Sequence, residues 1–514
     1  MSPKNIRPRF RAATAVTSFA AIAALFLSGC AGGSGGAAAG GGGESAAQQQ
    51  NFAAFYEQSI EWQSCDEGFG LEDAQRERLE ERGGSPAAFQ CAKVEAPLDW
   101  NDAENGDTIE LAVTHLASAG EDRQGVLFGN PGGPGASGLD YTYNMSVAPG
   151  FDEIMQSYDL IGFDPRGIGS STPIECEAES PILTVQIAAC AEQAPLARTM
   201  GTSQVARDME LLRQLMGDEK MHYLGYSYGT MLGATYSTLF PERVGRMLLD
   251  SAEGAGWATL IGSLAQTQAI EVAIEDLFAE CGTRYDVEVC PFADITALME
   301  AMGDLTVEPL LASDGTEVNG RMLYQYLLTS LYQRTVGREI ALDTTALALS
   351  GNQDAIDRMA DAMSGGGATV GLAGSIVRCH SFPEDPDVMG LLAYAEETGV
   401  PALLGGPELS PFVTQSLIDL NCFALAESGD DITDSFSGSP DAPILIIGIT
   451  GDHATHYEGA VQLTEELGNA RLLTLDGAGH AASYTGRSSC IDQASTAYLL
   501  RGELPPEGAV CTDD

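Results

Sequence analysis

From residue 108 onward, short apolar segments alternate with longer amphipathic ones. TIELAVTHL (108–116), GVLFGN (125–130), YDLIGFD (158–164), MHYLGYS (221–227) and GRMLLD (245–250) have the length and patterning of β-strands. Between the third and fourth, VARDMELLRQLMG places apolar residues at helical spacing, and TMLGATYSTLF after Ser227 predicts a helix that Pro241 ends. Strands that alternate with helices predict a mostly parallel sheet with helices on both faces. From Ser251 to about Pro440 the pattern becomes mostly helical, punctuated by Gly and Pro and holding four cysteines. The sheet signal then returns in APILIIGIT (442–450) and ARLLTLD (470–476), with helices predicted at EGAVQLTEELG and around IDQASTAYLLRG. The chain is therefore expected to be an α/β protein with a core in two parts, 51–250 and 441–514. A large helical cap over 251–440 would be inserted above the carboxyl ends of the strands, where such sheets bind ligands.

The first residues follow a different logic. Lys4, Arg7, Arg9 and Arg11 form a positive region, followed by a mostly apolar stretch from Ala12 to Leu27. Spanning a bilayer takes ~20 predominantly apolar residues, so 1–29 reads as a signal peptide. Leu27-Ser28-Gly29-Cys30 resembles a bacterial lipobox, which would make Cys30 the lipidated N-terminus and 30–50 a flexible Gly-rich tether. The protein is then expected to be exported and anchored by lipid to the outer face of the bacterial cell membrane, with release to the exterior as a second fate. Setting Cys30 aside from the eleven cysteines leaves ten, an even number that suits an oxidising compartment. Ten cysteines allow roughly 900 pairings; consecutive pairing closes short loops and gives Cys65–Cys91, Cys176–Cys190, Cys281–Cys290, Cys379–Cys422 and Cys490–Cys511. No CxxC pair occurs and the histidines are scattered, so neither a metal nor another cofactor is expected. The net charge is −48, and −52 once the four basic leader residues are gone, which argues against a nucleic-acid partner. The same charge suits a solvated acidic surface and could also steer peptide amines.

The chemistry lies in GYSYG (225–229), a G-x-S-x-G pentapeptide. The motif alone is weak, on the order of half a match by chance in a chain of this composition. Gly32 to Gly36 in the tether fit it too. Ser227, however, follows an apolar strand and opens a helix, the setting of a nucleophile elbow. A serine hydroxyl needs a base, and the base an orienting carboxylate, in the chain order Ser, Asp, His. His480 in DGAGH directly follows the last strand and is the expected base, while His453 and His456 are given a surface or pocket-rim role. Asp452 after APILIIGIT and Asp250 at the end of GRMLLD compete for the acid, and the order along the chain favours Asp452. Gly129 to Gly135 follow the strand GVLF, where oxyanion donors belong; the N–H of Gly133, with Gly132 as the alternative, would pair with that of Tyr228.

Taken together, IEWQSC, CAKVEAPLDW, GNPGGPG, FDPRGIGSS, GYSYGT, RMLLDSAEG and PILIIGITGDHATH with GAGH resemble the bacterial tripeptidyl aminopeptidases. These are relatives of the proline iminopeptidases with a TAP-like C-terminal segment, and the resemblance covers nearly the whole mature chain. It implies Ser227 as nucleophile, Asp452 as acid and His480 as base, an α/β-hydrolase core with a helical cap, and local disulfides. It further implies structural roles for Asp164 and Arg166 and, as activity, the release of short units from the free N-terminus of peptides. The segment after the acid usually runs Asp-Pro-x-Thr-Pro; here it is Asp452-His453-Ala454-Thr455-His456. An exopeptidase must bind a free amine, and Glu253, just past the strand that ends at Asp250, is the candidate carboxylate. A monomer acting on peptide substrates is expected. Two other readings stand beside this one: a cell-surface esterase or lipase with the same triad, and a peptide-binding lipoprotein without catalysis.

Overall fold

The computed structural model describes residues 43–180, 182–364, 371–382, 387–407, 422–425 and 435–514. The expected leader, Cys30 and most of the tether lie outside the described residues. In chain order the strands are β1 (Gln63–Ser64), β2 (Phe89–Pro97), β3 (Thr108–Leu116), β4 (Gly125–Asn130), β5 (Tyr158–Phe163), β6 (Met221–Tyr226), β7 (Val244–Asp250), β8 (Leu310–Leu311), β9 (Glu317–Val318), β10 (Ile444–Gly451), β11 (Ala470–Ala478) and β12 (Val510–Thr512). Ten of them form one sheet in the order β1-β2-β3-β5-β4-β6-β7-β10-β11-β12. From β5 to β12 every pairing is parallel; β1, β2 and β3 add antiparallel strands at one edge. The remaining two, β8 and β9, make a small hairpin within the insertion.

Both faces of the parallel strands are covered, and their side chains divide accordingly. Phe128, Ile161, Leu249 and Ile446 belong to the apolar layer on one face, and Leu127, Leu160, Leu248 and Leu445 to that on the other. This is why the strands read as near-continuous apolar runs. Between β7 and β10 the chain forms helices including Leu260–Glu280, Ile295–Val307, Gly320–Leu331 and Thr335–Leu349. They close over a core of their own, built on Ile274, Leu277, Leu298, Leu323, Leu327 and Leu342. Because β7 and β10 are sheet neighbours, this excursion leaves the sheet uninterrupted.

Two sequence expectations need correction or addition. The flexible tether was expected to reach residue 50, but Glu44–Asn51 is a helix held by polar contacts. Buried Ser45 donates to Glu210 Oε1 at 2.5 Å, Gln48 donates to the Arg207 carbonyl at 2.9 Å, and Glu44 pairs with Arg207 at 2.7 Å. The segment CAKVEAPLDW, not assigned a strand from its pattern, supplies most of β2. All five consecutive disulfides are formed. Arg166 is fully buried and makes a two-pronged ion pair with Asp208 at 2.8 and 2.7 Å. Asp164 accepts from Ser137 Oγ at 2.6 Å and the Ser170 N–H at 2.7 Å, so both residues act on the fold. Among the described residues no helix is long and apolar enough to cross a membrane.

Candidate active site

The sheet order determines what meets at its carboxyl edge. β4 and β6 are neighbours, with Asn130 opposite Gly225, so the glycine loop after β4 lies beside Ser227. Ser227 itself sits at φ 55°, ψ −131°, a conformation that costs a non-glycine residue of order 1–3 kcal/mol. Its N–H donates to the Asp250 carbonyl at 3.0 Å, and its carbonyl accepts from the N–H and hydroxyl of Thr230 at 2.8 and 2.7 Å. The turn is therefore clamped between β7 and the first turn of the helix Tyr228–Leu239. The flanking glycines are required by close approach. A Cβ on Gly225 would stand 2.5 Å from the Gly229 carbonyl oxygen, and one on Gly229 2.8 Å from that of Asn130. The strained turn thus presents the Ser227 hydroxyl, partly exposed, at the strand end.

Asp452 and His480 follow β10 and β11, the next pairing along the edge beyond β7. His480 Nδ1–H donates to both carboxylate oxygens of Asp452, at 2.9 and 3.0 Å. Asp452 Oδ1 also accepts the N–H groups of Ala454 and Thr455 at 2.9 and 3.0 Å, and Oδ2 accepts the Thr455 hydroxyl at 2.9 Å. Burial alone would push the Asp452 carboxyl up, but the charge and hydrogen bond of His480 outweigh it and hold the pKa down at about 2. Burial would likewise lower His480; the Asp452 charge and hydrogen bond prevail, with Asp250 adding to them, so the imidazole is raised above its ordinary 6.5. With Nδ1 engaged, Nε2 is the atom left to serve a hydroxyl.

The rival aspartate has a different task. Asp250 is fully buried and accepts the N–H groups of Ala482 and Ser483 and the Ser483 hydroxyl, the latter two at 2.6 and 2.5 Å. Tyr226 adds a bond from its hydroxyl to the Ser483 carbonyl at 2.9 Å, and Ser251 Oγ accepts the Ala481 N–H at 2.8 Å. The loop carrying His480 is thus fastened to the ends of β6 and β7, beside the nucleophile turn. Neither Asp250 as loop clamp nor Thr455 as partner to Asp452 was singled out from sequence; the only signal was a second aspartate at a strand end.

The glycine loop separates the two oxyanion candidates. The Gly132 N–H is taken by Asn130 Oδ1 at 2.9 Å, which leaves Gly133 as the glycine able to offer its N–H to a substrate oxygen. Tyr228 opens its helix, where the first N–H groups have no partner within the helix. A Cβ on Gly132 would stand 2.9 Å from the Tyr228 nitrogen and 3.0 Å from Ser227 Cβ, so the loop packs directly on the elbow.

His453 is buried, not at the surface, because Tyr332 of the insertion covers it with ring centroids 4.6 Å apart. The same tyrosine ring lies 5.5 Å from that of His480. Burial lowers His453 to about 4, leaving a neutral ring at neutral pH. His456 is half-buried, and burial lowers it too. Glu253 is only 2 % exposed, its Oε2 has no partner among the described residues, and its N–H donates to Thr230 Oγ1 at 3.2 Å. Burial raises its carboxyl well above the usual range, Arg378 works against this, and Asp452 adds to it.

Two family profiles match the chain, one described as the alpha/beta hydrolase fold over residues 126–359 and one as TAP-like protein over 410–511. A protein named serine protease Hip1 from Mycobacterium tuberculosis is 28% identical over 479 residues, spanning 83% of this chain and 88% of its own. One named tripeptidyl aminopeptidase from Streptomyces coelicolor is 27% identical over 502 residues, 88% of this chain and 86% of its own. One named carboxylesterase B, also from Mycobacterium tuberculosis, is 29% identical over 460 residues, 82% of this chain and 86% of its own. A parallel sheet with a strained serine turn, an Asp–His pair two strands beyond it and these matches lead to one assignment: the chain has the α/β-hydrolase fold with a TAP-like C-terminal segment, and it is a serine hydrolase.

Proposed function

We propose that this chain is a serine peptidase that releases short units, tripeptides, from the free N-terminus of peptides through an acyl-enzyme on Ser227. The observation that carries the reading is the Asp452–His480 pair fastened beside the strained Ser227 turn; relatives named as a serine protease and a tripeptidyl aminopeptidase support the choice of peptides. In this mechanism His480 Nε2 takes the Ser227 proton as Oγ attacks the scissile carbonyl. The oxyanion is met by the N–H groups of Gly133 and Tyr228, a donor set of which each member is worth ~10²–10³ in rate. As the tetrahedral intermediate collapses, the C–N bond breaks and the imidazolium gives its proton to the departing amine. Water then repeats the sequence to free the short acyl product and restore Ser227.

Glu253 is the candidate receptor for the substrate amine. Its Oε2 has no partner among the described residues and the Arg378 charge does not offset its burial, so a bound ammonium would supply the counter-charge that its ionised form still needs. We further propose that Cys30 is lipidated and that the enzyme works outside the cell, tied to the membrane by that lipid and acting as a monomer. Amino-blocked and free peptides of the same sequence test the exopeptidase reading, which fails if both are cut equally fast. The esterase reading is favoured by one observation, the relative named carboxylesterase B. Comparing kcat/KM on a tripeptide anilide with that on a simple ester decides between them.

A further inference from the structure

A cavity of about 520 Å³ lies at the ends of β10 and β11, bounded by Thr450 to Asp452, Ala478 and Gly479 on the sheet side and by the helix Leu260–Glu280 on the cap side. Neither Ser227 nor the Asn130–Gly135 loop belongs to its wall. The volume is in the range of ligand sites, which are mostly apolar with a few placed polar groups. Its helix wall is a stripe of small and apolar residues, Ile261, Ala265, Ala269, Val272 and Ala273, spaced so that they share one helical face. Val272 is 56% exposed, an uncovered apolar side chain facing this space. Two histidines stand among its polar groups. Among the described residues, His453, 1% exposed, leaves Nε2 without a partner, and His456 leaves Nδ1 without one.

The position relative to the chemistry identifies the occupant. In acyl transfer the base that accepts the serine proton returns it to the leaving amine, so the leaving group departs on the side of the histidine. The acyl oxygen points the other way, toward the N–H donors. Here the donor loop follows β4, the nucleophile β6, the acid β10 and the base β11, in that order across the sheet. The oxyanion donors and the cavity therefore stand on opposite sides of Ser227. Tyr332 links the cavity-lining His453 to the base, with its ring against both His453 and His480.

We infer that this cavity receives the part of the peptide C-terminal to the scissile bond, the segment that leaves as the new amine; the inference rests on the peptidase reading. The apolar stripe accepts the side chains next to the cut, and the free ring nitrogens of His453 and His456 hydrogen-bond to its amides. Among the described residues the wall also carries Asp276, Glu280 and Glu458 against one Arg or Lys, Arg338, whose guanidinium is occupied by the Tyr285 hydroxyl and the Leu331 and Gln333 carbonyls. Acidic residues in the leaving segment are accordingly disfavoured.

The test uses two substrates with the same first three residues, a tripeptide anilide and an octapeptide, on the native enzyme and on Ala269→Trp and His456→Ala. The expected result is a fall in the ratio of octapeptide to anilide kcat/KM, about tenfold or more for the filled cavity and a few-fold for the lost hydrogen bond. Parallel loss on both substrates, or an unchanged ratio, overturns the assignment. On the native enzyme the released pentapeptide should compete with the octapeptide; no inhibition at concentrations well above KM also overturns it. A native enzyme that splits simple esters but neither peptide substrate refutes the peptidase reading instead, a result distinct from the other two.

Discussion

Replacing Asp452 by Asn separates a true triad acid from a structural aspartate, and the hydrogen bonds around it set the expected size of the effect. Oδ1 accepts two backbone N–H groups, from Ala454 and Thr455. In the Asn variant the carbonyl oxygen stays with those donors, which forces the amide NH₂ into the place of Oδ2, facing His480 Nδ1. An N–H aimed at Nδ1 makes that nitrogen the acceptor and puts the imidazole proton on Nε2, the wrong tautomer for a base. The expected loss is ~10⁴ in kcat/KM, about 5 kcal/mol of transition-state stabilisation. Asp250→Asn is the matched control. One oxygen still serves the Ser483 donors while the new NH₂ confronts the Ala482 N–H, a loss of ~2 kcal/mol in stability. Drift of the loop then lowers activity by no more than about a hundredfold. Anilide hydrolysis and the rate at which a fluorophosphonate labels Ser227 report the same quantity, the second without any choice of substrate. An inactive Asp250→Asn beside an Asp452→Asn within tenfold of native would refute the reasoning.

Because His480 must be neutral to accept a proton and Asp452 holds its pKa above 6.5, kcat/KM should rise with pH through a midpoint above that value; a pH–rate profile with its acid limb below 6 contradicts the pairing. Ser227→Gly relieves the backbone strain that Ser227→Ala retains, so in urea unfolding the glycine variant should be the more stable by ~1 kcal/mol after allowing for its floppier unfolded chain. Gly132→Ala places a methyl 2.5 Å from the Tyr226 carbonyl oxygen at a φ of +91°, and should cost ~10² or more in fluorophosphonate labelling rate. Removing both Cys490 and Cys511 opens a loop of 21 residues' separation and should lower unfolding free energy by about 3 kcal/mol, read by denaturant titration.

The places of the three candidate residues in the fold were legible because each sits where local signals are strong. Ser227 lies in a tight turn between an apolar strand and a helix, and Asp452 and His480 each follow a run of apolar residues that ends in the sheet. The helix Glu44–Asn51 was missed for the opposite reason: it has no apolar stripe and is held by Ser45 and Gln48 to groups more than 150 residues away. Periodicity registers apolar burial, not polar burial. The role of Asp250 was equally hidden, since two aspartates at strand ends look alike until the residues after His480 are seen to fold back on one of them. The burial of His453 was hidden because Tyr332, which covers it, follows the helix Gly320–Leu331 of the insertion; its place on the wall of a pocket was expected and is found.

The insertion explains how this site can be rigid and adaptable together. It leaves after β7 and returns at β10, and those strands pair directly, Leu248 with Leu445 and Asp250 with Ile447. The distance from nucleophile to acid is therefore set by the spacing of adjacent strands, whatever the length or shape of the intervening helices. The insertion reaches the base through Tyr332, whose ring meets that of His480 edge to face without replacing any of its hydrogen bonds. Changes in the helix Leu260–Glu280 should then alter which peptides are processed while leaving the reactivity of Ser227 toward a small phosphonate close to native. If substitutions along that helix changed labelling and peptide cleavage in proportion, catalysis and selection would share one set of contacts, and the separation drawn from the strand order would be untenable.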